Sequence, residues 1–162
     1  MPHCYLIALG SNVRHHRFGP PEQVLDAALA ELKRRGIKVK AAGPIVRSAP
    51  VGPSLRRYAN SAALVKWRGS PQELLHELKA IERSFGRRAG GQRWTSRVLD
   101  LDIVLWSGGA WSSADLTVPH LLFRQRDFVL RPAAGIAPQW RDPVTGLTLR
   151  QLAARLARPV RI

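Results

Sequence analysis

Two aspartates separated by a single residue lie inside an apolar segment of this chain. Asp100 and Asp102 belong to the segment VLDLDIVLW, whose apolar and β-branched composition predicts a β-strand. Because side chains alternate along a strand, both carboxylates point to one face, with their Cα atoms roughly 6 to 7 Å apart. The opposite face, which is predicted to be buried, carries Leu99, Leu101, Ile103 and Leu105. The aspartate face must therefore be open to solvent, to a metal ion or to a cationic partner.

Such a carboxylate pair suits phosphoryl transfer. Mg²⁺ prefers oxygen ligands and bridges phosphate oxygens, while cationic side chains neutralise the charge that builds toward the leaving group. Arginines stand nearby, at Arg93 and Arg97 before the strand and at Arg87 and Arg88 in the glycine-rich segment GRRAGGQ. The chain has no GxxxxGK[ST] motif, which excludes a P-loop enzyme. By itself, the aspartate pair also fits a solvated strand face that a nearby arginine stabilises.

The segments around the aspartates predict an alternation of strands and helices. Gly36 closes the first helical segment, and Ser70 and Glu73 form a capping box before the second. The predicted order is strand 4–10, helix 22–36, an interrupted strand 37–45, strand 58–67, a helix after residue 70 and strand 99–106. This βαββαβ order is typical of a ferredoxin-like α+β fold, an antiparallel sheet with helices on one face. The segment LTLRQLAARLA predicts a closing helix in a C-terminal extension.

Two loops and the C-terminal part of the chain hold further candidate contacts. The segment 49–57 contains two prolines and a glycine and is expected to cover a ligand, whereas the segment 86–92 is expected to be a mobile loop. A lone histidine is most often structural. His120, which has Arg124 and Arg126 close behind it, is also a candidate ligand contact.

Length and composition limit the remaining possibilities. A chain of 162 residues with 45% hydrophobic residues can form one domain with a proper core, so a single domain is expected over residues 1–162. The lone Cys4 excludes an intramolecular disulfide and a cysteine-based zinc site. The apolar N-terminal stretch is shorter than a signal-peptide core, and no segment approaches the length of a membrane span. We therefore expect a cytoplasmic protein without a membrane partner.

The net charge of +15 raises the possibility of a nucleic-acid partner. A ferredoxin-like sheet serves RNA binding in RRM domains, but their aromatic signature on the central strands is absent here. The basic residues are also spread over every segment, which is compatible with a general preference for arginine on solvated faces. Nucleic-acid binding is therefore not expected, although it stays as an alternative.

Taken together, the motifs resemble the 6-hydroxymethyl-7,8-dihydropterin pyrophosphokinase family. The resemblance spans nearly the whole chain, in the family's order. The matching segments are YLIALGSN at 5–12, YANSA at 58–62, IERSFGR at 81–87, RWTSRVLDLDIVL at 93–105, TVPH at 117–120 and RDFVLRP at 126–132. The resemblance implies transfer of pyrophosphate from ATP to the hydroxymethyl group of a reduced pterin, which yields AMP and the pterin pyrophosphate in folate biosynthesis.

The resemblance also implies roles for individual residues. Two Mg²⁺ ions would be held by Asp100 and Asp102. Catalytic roles fall on Arg87, Arg97, Asp100 and Asp102. The pterin would contact Ser48, Val51, Tyr58, Asn60, Trp94 and Phe128, with Trp94 closing a lid. The nucleotide would contact Glu82, Arg87, Arg97, His120 and Arg126. The expected partners are therefore small molecules, and the protein is expected to be a monomer.

Three positions depart from the family's pattern. Ala89 stands where a second loop arginine is expected, Leu121 stands where an aromatic residue or proline is common, and the loop from Val51 to Tyr58 is slightly short. A protein that binds pterin or nucleotide without turnover is the alternative that the missing arginine leaves open, and the intact aspartate pair argues against it.

Overall fold

The structure, a computed structural model, describes residues 2–48, 58–86 and 98–158. The first half of the described chain contains β1 (His3–Ser11), α1 (Pro21–Arg34), β2 (Lys38–Ala42), β3 (Val46–Ser48) and β4 (Tyr58–Trp67). The second half contains α2 (Pro71–Ser84), β5 (Asp100–Trp106), β6 (Trp111–Ser113), β7 (Leu116–Val118), a 3₁₀ turn (Phe123–Gln125), α3 (Asp127–Ile136) and α4 (Leu149–Ala157). Within these ranges, no helix has the length and apolar character that crossing a bilayer requires.

The main sheet is antiparallel, with β1 in its interior. β1 pairs with β4 on one side and with β5 on the other, while β2 and β3 pair with successive parts of β4. The resulting order is β2-β4-β1-β5, and β6 and β7 form a separate hairpin. This arrangement confirms the predicted ferredoxin-like α+β fold, including the interruption between β2 and β3.

Local signals set the helix ends near the predicted positions. The Ser70 hydroxyl accepts a hydrogen bond from the Glu73 amide at 3.2 Å, and the Ser70 amide donates to Glu73 Oε1 at 3.1 Å, which completes the predicted capping box. Gly36 follows α1 with a φ of +84°, a conformation that glycine adopts without steric cost. The capping box thus fixes the start of α2, and Gly36 allows the chain to turn from α1 into β2.

Helices cover both faces of the sheet, whereas the sequence predicted helices on one face only. One face packs against α1 and α2 in a cluster that includes Ile7, Leu25 and Leu78. The other face packs against α3 and α4 in a cluster that includes Leu6 and Leu130. The sequence analysis missed α3 because Pro132 and Gly135 interrupt its helical pattern. The C-terminal extension is therefore half of the core rather than an addition to it.

A β-bulge changes the face on which the end of β5 packs. The register against β1 shifts between Leu6 and Ile7, since Leu6 pairs with Leu105 while Ile7 pairs with Ile103. Leu105 consequently joins the cluster under α3 and α4 instead of the face of Leu101 and Ile103, so its predicted placement is wrong. Strict alternation holds from Leu99 to Ile103, the part that carries the two aspartates.

Glu82 of α2 supports β5 at the end of the sheet. Among the described residues, no strand pairs with the outer edge of β5, so an outward backbone amide needs another partner. The Leu101 amide, located between the two aspartates, donates to Glu82 Oε2 at 2.7 Å, and Glu82 is only 2% exposed. Lys79 Nζ lies 3.7 Å from the other carboxylate oxygen. Glu82 therefore ties the aspartate segment of β5 to α2.

We expect Glu82→Ala to lower the free energy of unfolding by about 2 to 3 kcal/mol, because a buried amide then loses a charged acceptor. Glu82→Gln should cost less, since its side-chain oxygen still accepts the Leu101 hydrogen bond. Chemical denaturation of both variants measures the difference. Equal stability of Glu82→Ala and the unmodified protein would contradict this role.

Candidate active site

The predicted site is built around Gly10, on the face of the sheet that α3 and α4 partly cover. Gly10 pairs with Asn60 of β4 on one side and with Asp100 of β5 on the other. The next residue on that face of β1, Ala8, pairs with Asp102. Strands lie about 4.8 Å apart, so small residues on the middle strand leave a shallow trough roughly 10 Å wide between Asn60 and Asp100.

The two aspartates line one wall of this trough. Both side chains are partly exposed, and that of Asp102 retains 48% of its accessible surface. Their neighbours Leu101 and Ile103 are buried on the other face, as the alternation predicted. Among the described residues, no group of three or more His, Cys, Asp and Glu side chains converges as a metal cage. Two partly exposed carboxylates on one face match Mg²⁺, which takes one or two carboxylates and fills its other positions with water and phosphate oxygens.

His120 joins the aspartate wall through its side chain and its backbone. Its amide donates to the Val104 carbonyl of β5 at 3.0 Å, and its Nε2 lies 4.0 Å from Asp102 Oδ2. The Leu122 amide donates to His120 Nδ1 at 3.1 Å, so the neutral ring carries its proton on Nε2, toward Asp102. Burial lowers the pKa of His120 and Arg126 adds to that effect, while Asp102 opposes it.

Arg126 and Phe128 follow at the start of α3. The Arg126 guanidinium lies 5.7 Å from the centroid of the Phe128 ring, a cation–π arrangement. The positive charge of Arg126 also contributes to the lowered pKa of His120. The structure thus brings together three residues that the sequence analysis placed near ligands: His120, Arg126 and Phe128.

The opposite wall of the trough belongs to β3 and β4. Asn60 is 5% exposed and its Nδ2 donates to the Val46 carbonyl at 3.4 Å, which fixes the orientation of the amide. Tyr58 is half-buried and pairs with Ser48, whose backbone forms the end of β3. Asn60 and Tyr58 therefore lie on the same face as the aspartates, across Gly10.

Other predicted site residues lie elsewhere. Glu82 is buried at the outer edge of β5, and its predicted nucleotide contact stays a prediction. Arg124, which was grouped with His120 and Arg126 as support for a ligand contact, instead pairs with Asp142. Four predicted site residues lie outside the described residues: Val51, Arg87, Trp94 and Arg97. The same is true of Ala89, which departs from the family's pattern, and of residues 49–57 and 87–92 of the two predicted loops.

Gly10 was not predicted as a site residue. The predicted strand ends at Gly10, whereas β1 continues to Ser11, so Gly10 lies within β1 and is paired on both sides. A Cβ at this position would lie 3.2 Å from Asn60 Oδ1 and 3.8 Å from the Tyr58 ring. The signal available in the sequence was a glycine inside a strand pattern, which often marks a close approach by a neighbour.

Comparison with known proteins decides the family. A family model described as 7,8-dihydro-6-hydroxymethylpterin-pyrophosphokinase (HPPK) matches residues 6–138. The chain belongs to the HPPK family. A 2-amino-4-hydroxy-6-hydroxymethyldihydropteridine pyrophosphokinase of Synechocystis sp. is 39% identical over 151 residues, which cover 93% of this chain and 74% of the relative. The pyrophosphokinase of the same name from Methylorubrum extorquens is 34% identical over 158 residues, which cover 96% of this chain and 94% of the relative.

A solved structure supports the fold independently. A triple mutant of Plasmodium falciparum HPPK-DHPS superposes with a TM-score of 0.75 at 13% identity, over 96% of this chain and 44% of that chain. The present chain thus spans less than half of the length of that structure. These comparisons confirm the resemblance, the fold and the predicted reaction: HPPK enzymes transfer pyrophosphate from ATP, their co-substrate, to 6-hydroxymethyl-7,8-dihydropterin in folate synthesis.

Because the resemblance makes Asn60 a pterin contact, Gly10→Ala tests the trough directly. The added methyl group must displace the Asn60 amide by a few tenths of an ångström, so we expect the KM for the pterin to rise about threefold to tenfold. The KM for ATP should change less than twofold. Steady-state kinetics with each substrate varied in turn gives both values.

Gly135→Ala in α3 is the matched control, since a Cβ there meets only the Pro44 ring, at 3.8 Å. It should leave both KM values unchanged and raise the melting temperature slightly. An unchanged KM for the pterin in Gly10→Ala would show that the pterin does not depend on the position of Asn60.

Proposed function

We propose that the pyrophosphoryl transfer of this HPPK enzyme takes place above Gly10, between the aspartate wall of β5 and the Asn60 wall of β4. One observation carries the proposal: the two partly exposed carboxylates of β5 share a face with Asn60 and Tyr58 of β4, and His120 lies beside Asp102. Phe128 packs against the cluster on that same face. These residues are far apart in sequence, and a merely solvated strand face needs none of them as neighbours.

The reaction sets the requirements of the site. The hydroxymethyl oxygen of the pterin attacks the β-phosphorus of ATP, a new P–O bond forms, and the bond between the β-phosphorus and the bridging oxygen of the α-phosphate breaks. AMP leaves with the electron pair of that bond, and the hydroxyl proton is lost to the surroundings. The protein must therefore hold the two substrates in line and stabilise negative charge on the triphosphate.

We assign two Mg²⁺ ions to Asp100 and Asp102. When bound, the ions would neutralise the triphosphate charge and lower the pKa of the attacking hydroxyl. The carboxylates supply the hard oxygen ligands that Mg²⁺ needs, and their open face leaves room for water and phosphate oxygens. Glu82 keeps the intervening Leu101 amide fixed, which holds the spacing of the two carboxylates.

The pterin is assigned to the Asn60 wall. The Asn60 amide offers a donor and an acceptor to the polar edge of the ring, and Tyr58 and Phe128 are half-buried aromatic side chains that can contact its faces. Backbone groups near Ser48 and Val51 complete this contact in the proposal, and Trp94 closes over the pterin and excludes water.

The nucleotide is assigned to the His120 side of the trough, with Glu82 retained as a predicted contact. The His120 Nε2–H and the Arg126 guanidinium are the donors that we expect to reach phosphate oxygens. Arg87 and Arg97 belong to the segment that joins α2 to β5, and we propose that they bind the triphosphate from above the aspartates. We further propose that one chain completes the site within a single domain. In this proposal the protein is a cytoplasmic monomer.

Asp100→Asn and Asp102→Asn test the central assignment. Each keeps the side-chain volume but removes the negative charge, so we expect turnover to fall by at least about a hundredfold. The melting temperature should change little, because both side chains are partly exposed. Asp26→Asn, on an exposed position of α1, is the matched control and should keep full activity. The measurement is formation of AMP and pterin pyrophosphate from ATP, Mg²⁺ and the pterin.

Near-normal rates in either variant would contradict the metal assignment. ADP as the product, or no turnover by the unmodified protein, would contradict the reaction on this chain and favour a protein that only binds pterin or nucleotide. A parallel titration with RNA at rising salt addresses the basic surface: we expect weak binding that disappears with salt and lacks sequence preference.

A further inference from the structure

A buried ion pair links the segment behind His120 to the C-terminal part of the chain. Arg124 Nε lies 2.5 Å from Asp142 Oδ2, and the second guanidinium nitrogen lies 2.8 Å from Oδ1, which makes a bidentate fork. Asp142 is fully buried, and 26% of the Arg124 side chain is exposed. Arg124 thus directs its charge into the protein, although it stands between two residues of the proposed nucleotide site.

Asp142 is held by more than Arg124. Its Oδ1 also accepts the Val144 amide at 3.0 Å, and its Oδ2 accepts the Thr145 hydroxyl at 2.8 Å. Burial alone would raise the pKa of Asp142, but these donors and Arg124 outweigh it and lower the pKa below its ordinary value. The carboxylate therefore stays charged and rigid.

Backbone hydrogen bonds also hold the loop around Asp142. The Asp142 amide donates to the Leu147 carbonyl at 2.8 Å, and the Gly146 amide donates to the Asp142 carbonyl at 2.8 Å. Thr148 then caps α4 in a capping box with Gln151. The loop that presents Asp142 is therefore fixed to α4, which packs through Leu149 on the same cluster as Phe123.

The segment 119–126 is attached at its start, middle and end. Its start is held by the hydrogen bond from the His120 amide to Val104, and its middle by the fully buried Phe123. At its end, the Arg126 carbonyl accepts the Val129 and Leu130 amides of α3, both at 3.0 Å. Leu121 and Leu122 are exposed, at 71% and 46%. The fork from Arg124 to Asp142 adds an attachment two residues before Arg126, on the side of α4.

We propose that the Arg124–Asp142 pair is a positioning device for the nucleotide, through which the segment 139–158 holds His120 and Arg126 in place. The inference rests on the nucleotide role proposed above for these two residues. It gives a function in catalysis to a part of the chain that lies beyond residue 138, the end of the match to the family model. Arg124 and Asp142 are positioning residues, since neither touches the substrate in this account.

The direct test compares ATP affinity in Arg124→Met and in a matched variant, Arg35→Met. Arg35 pairs with Glu31 and Glu77 at 3.0 and 3.2 Å, its side chain is 24% exposed, and it joins α1 to α2 away from the trough. We expect Arg124→Met to raise the Kd of a non-hydrolysable ATP analogue with Mg²⁺ about tenfold, and Arg35→Met less than twofold, at a similar loss of melting temperature. The KM for the pterin should stay within twofold in both.

Two further variants, Asp142→Asn and Arg124→Lys, test the same inference, so that it does not depend on Arg124→Met alone. Asp142→Asn keeps the shape of the carboxylate and should weaken ATP binding in the same direction. Arg124→Lys keeps the charge but loses the fork, so it should restore part of the affinity. The ¹⁵N resonances of the His120 ring should shift in Arg124→Met and stay unchanged in Arg35→Met, which a purely structural role would not predict.

A mutant cycle with the double variant His120→Ala/Arg126→Ala separates this inference from the proposed function. If the pair acts through these two residues, Arg124→Met should add less than about twofold to the Kd in the double-variant background. Full additivity in that background, or an unchanged Kd in Arg124→Met and Asp142→Asn while His120→Ala weakens binding, would overturn the inference alone. Normal ATP binding by His120→Ala would instead contradict the nucleotide role proposed for His120.

Discussion

The register between β1 and β5 is the constraint on which the site depends. It places Gly10 beside Asp100 and Ala8 beside Asp102, so the strand next to the carboxylates carries no large side chain on their face. The pairing of β1 with β4 then brings Asn60 to the other side of Gly10. A shift by one residue would turn the aspartates toward the core under α1 and α2, where two unpaired carboxylates could not be buried.

The same sheet must bury two clusters while it leaves this trough open. The bulge at the end of β5 adds to the packing, because it turns Leu105 into the cluster under α3 and α4, which Val104 joins by simple alternation. Asp100 and Asp102, before the bulge, stay in the partly open region of the same face. One of the two helices on this face, α3, begins directly after Arg126 and carries Phe128 in its first turn. The segment before it contains His120. One continuous stretch of chain therefore carries both core residues and candidate ligand contacts.

Elements with strong local signals could be predicted from the sequence. The capping box at Ser70, the glycine at Gly36 and the alternation from Leu99 to Ile103 each reflect interactions between near neighbours, and the structure has all three. The family resemblance supplied the reaction, which is confirmed, and most of the candidate site residues, whose roles stay predictions. Glu82 shows the limit of that reasoning: its burial at the edge of β5 depends on the packing of α2 against a strand that comes much later in the chain.

The bulge and the Arg124–Asp142 pair could not be predicted, because each depends on contacts between distant segments. The helix α3 was missed for a local reason, since a proline and a glycine interrupt its helical pattern. Arg124 in particular was grouped with Arg126 by its position in the sequence, whereas only the tertiary structure distinguishes an arginine that pairs with Asp142 from one beside His120. The glycine near the end of the predicted strand 4–10 carried a usable signal, because a glycine in a strand often marks the close approach of a neighbour.

The central claim is that the metal and the triphosphate bind at the carboxylates of β5. Paramagnetic broadening of amide resonances by Mn²⁺ in the presence of a non-hydrolysable ATP analogue locates the ion directly on the folded protein. The account predicts selective loss of the Gly10, Leu101, Asp102 and His120 amide signals, and no such loss in Asp102→Asn. Broadening centred on another surface, such as the cavity lined by Lys33, Gly36 and Lys38, would contradict it.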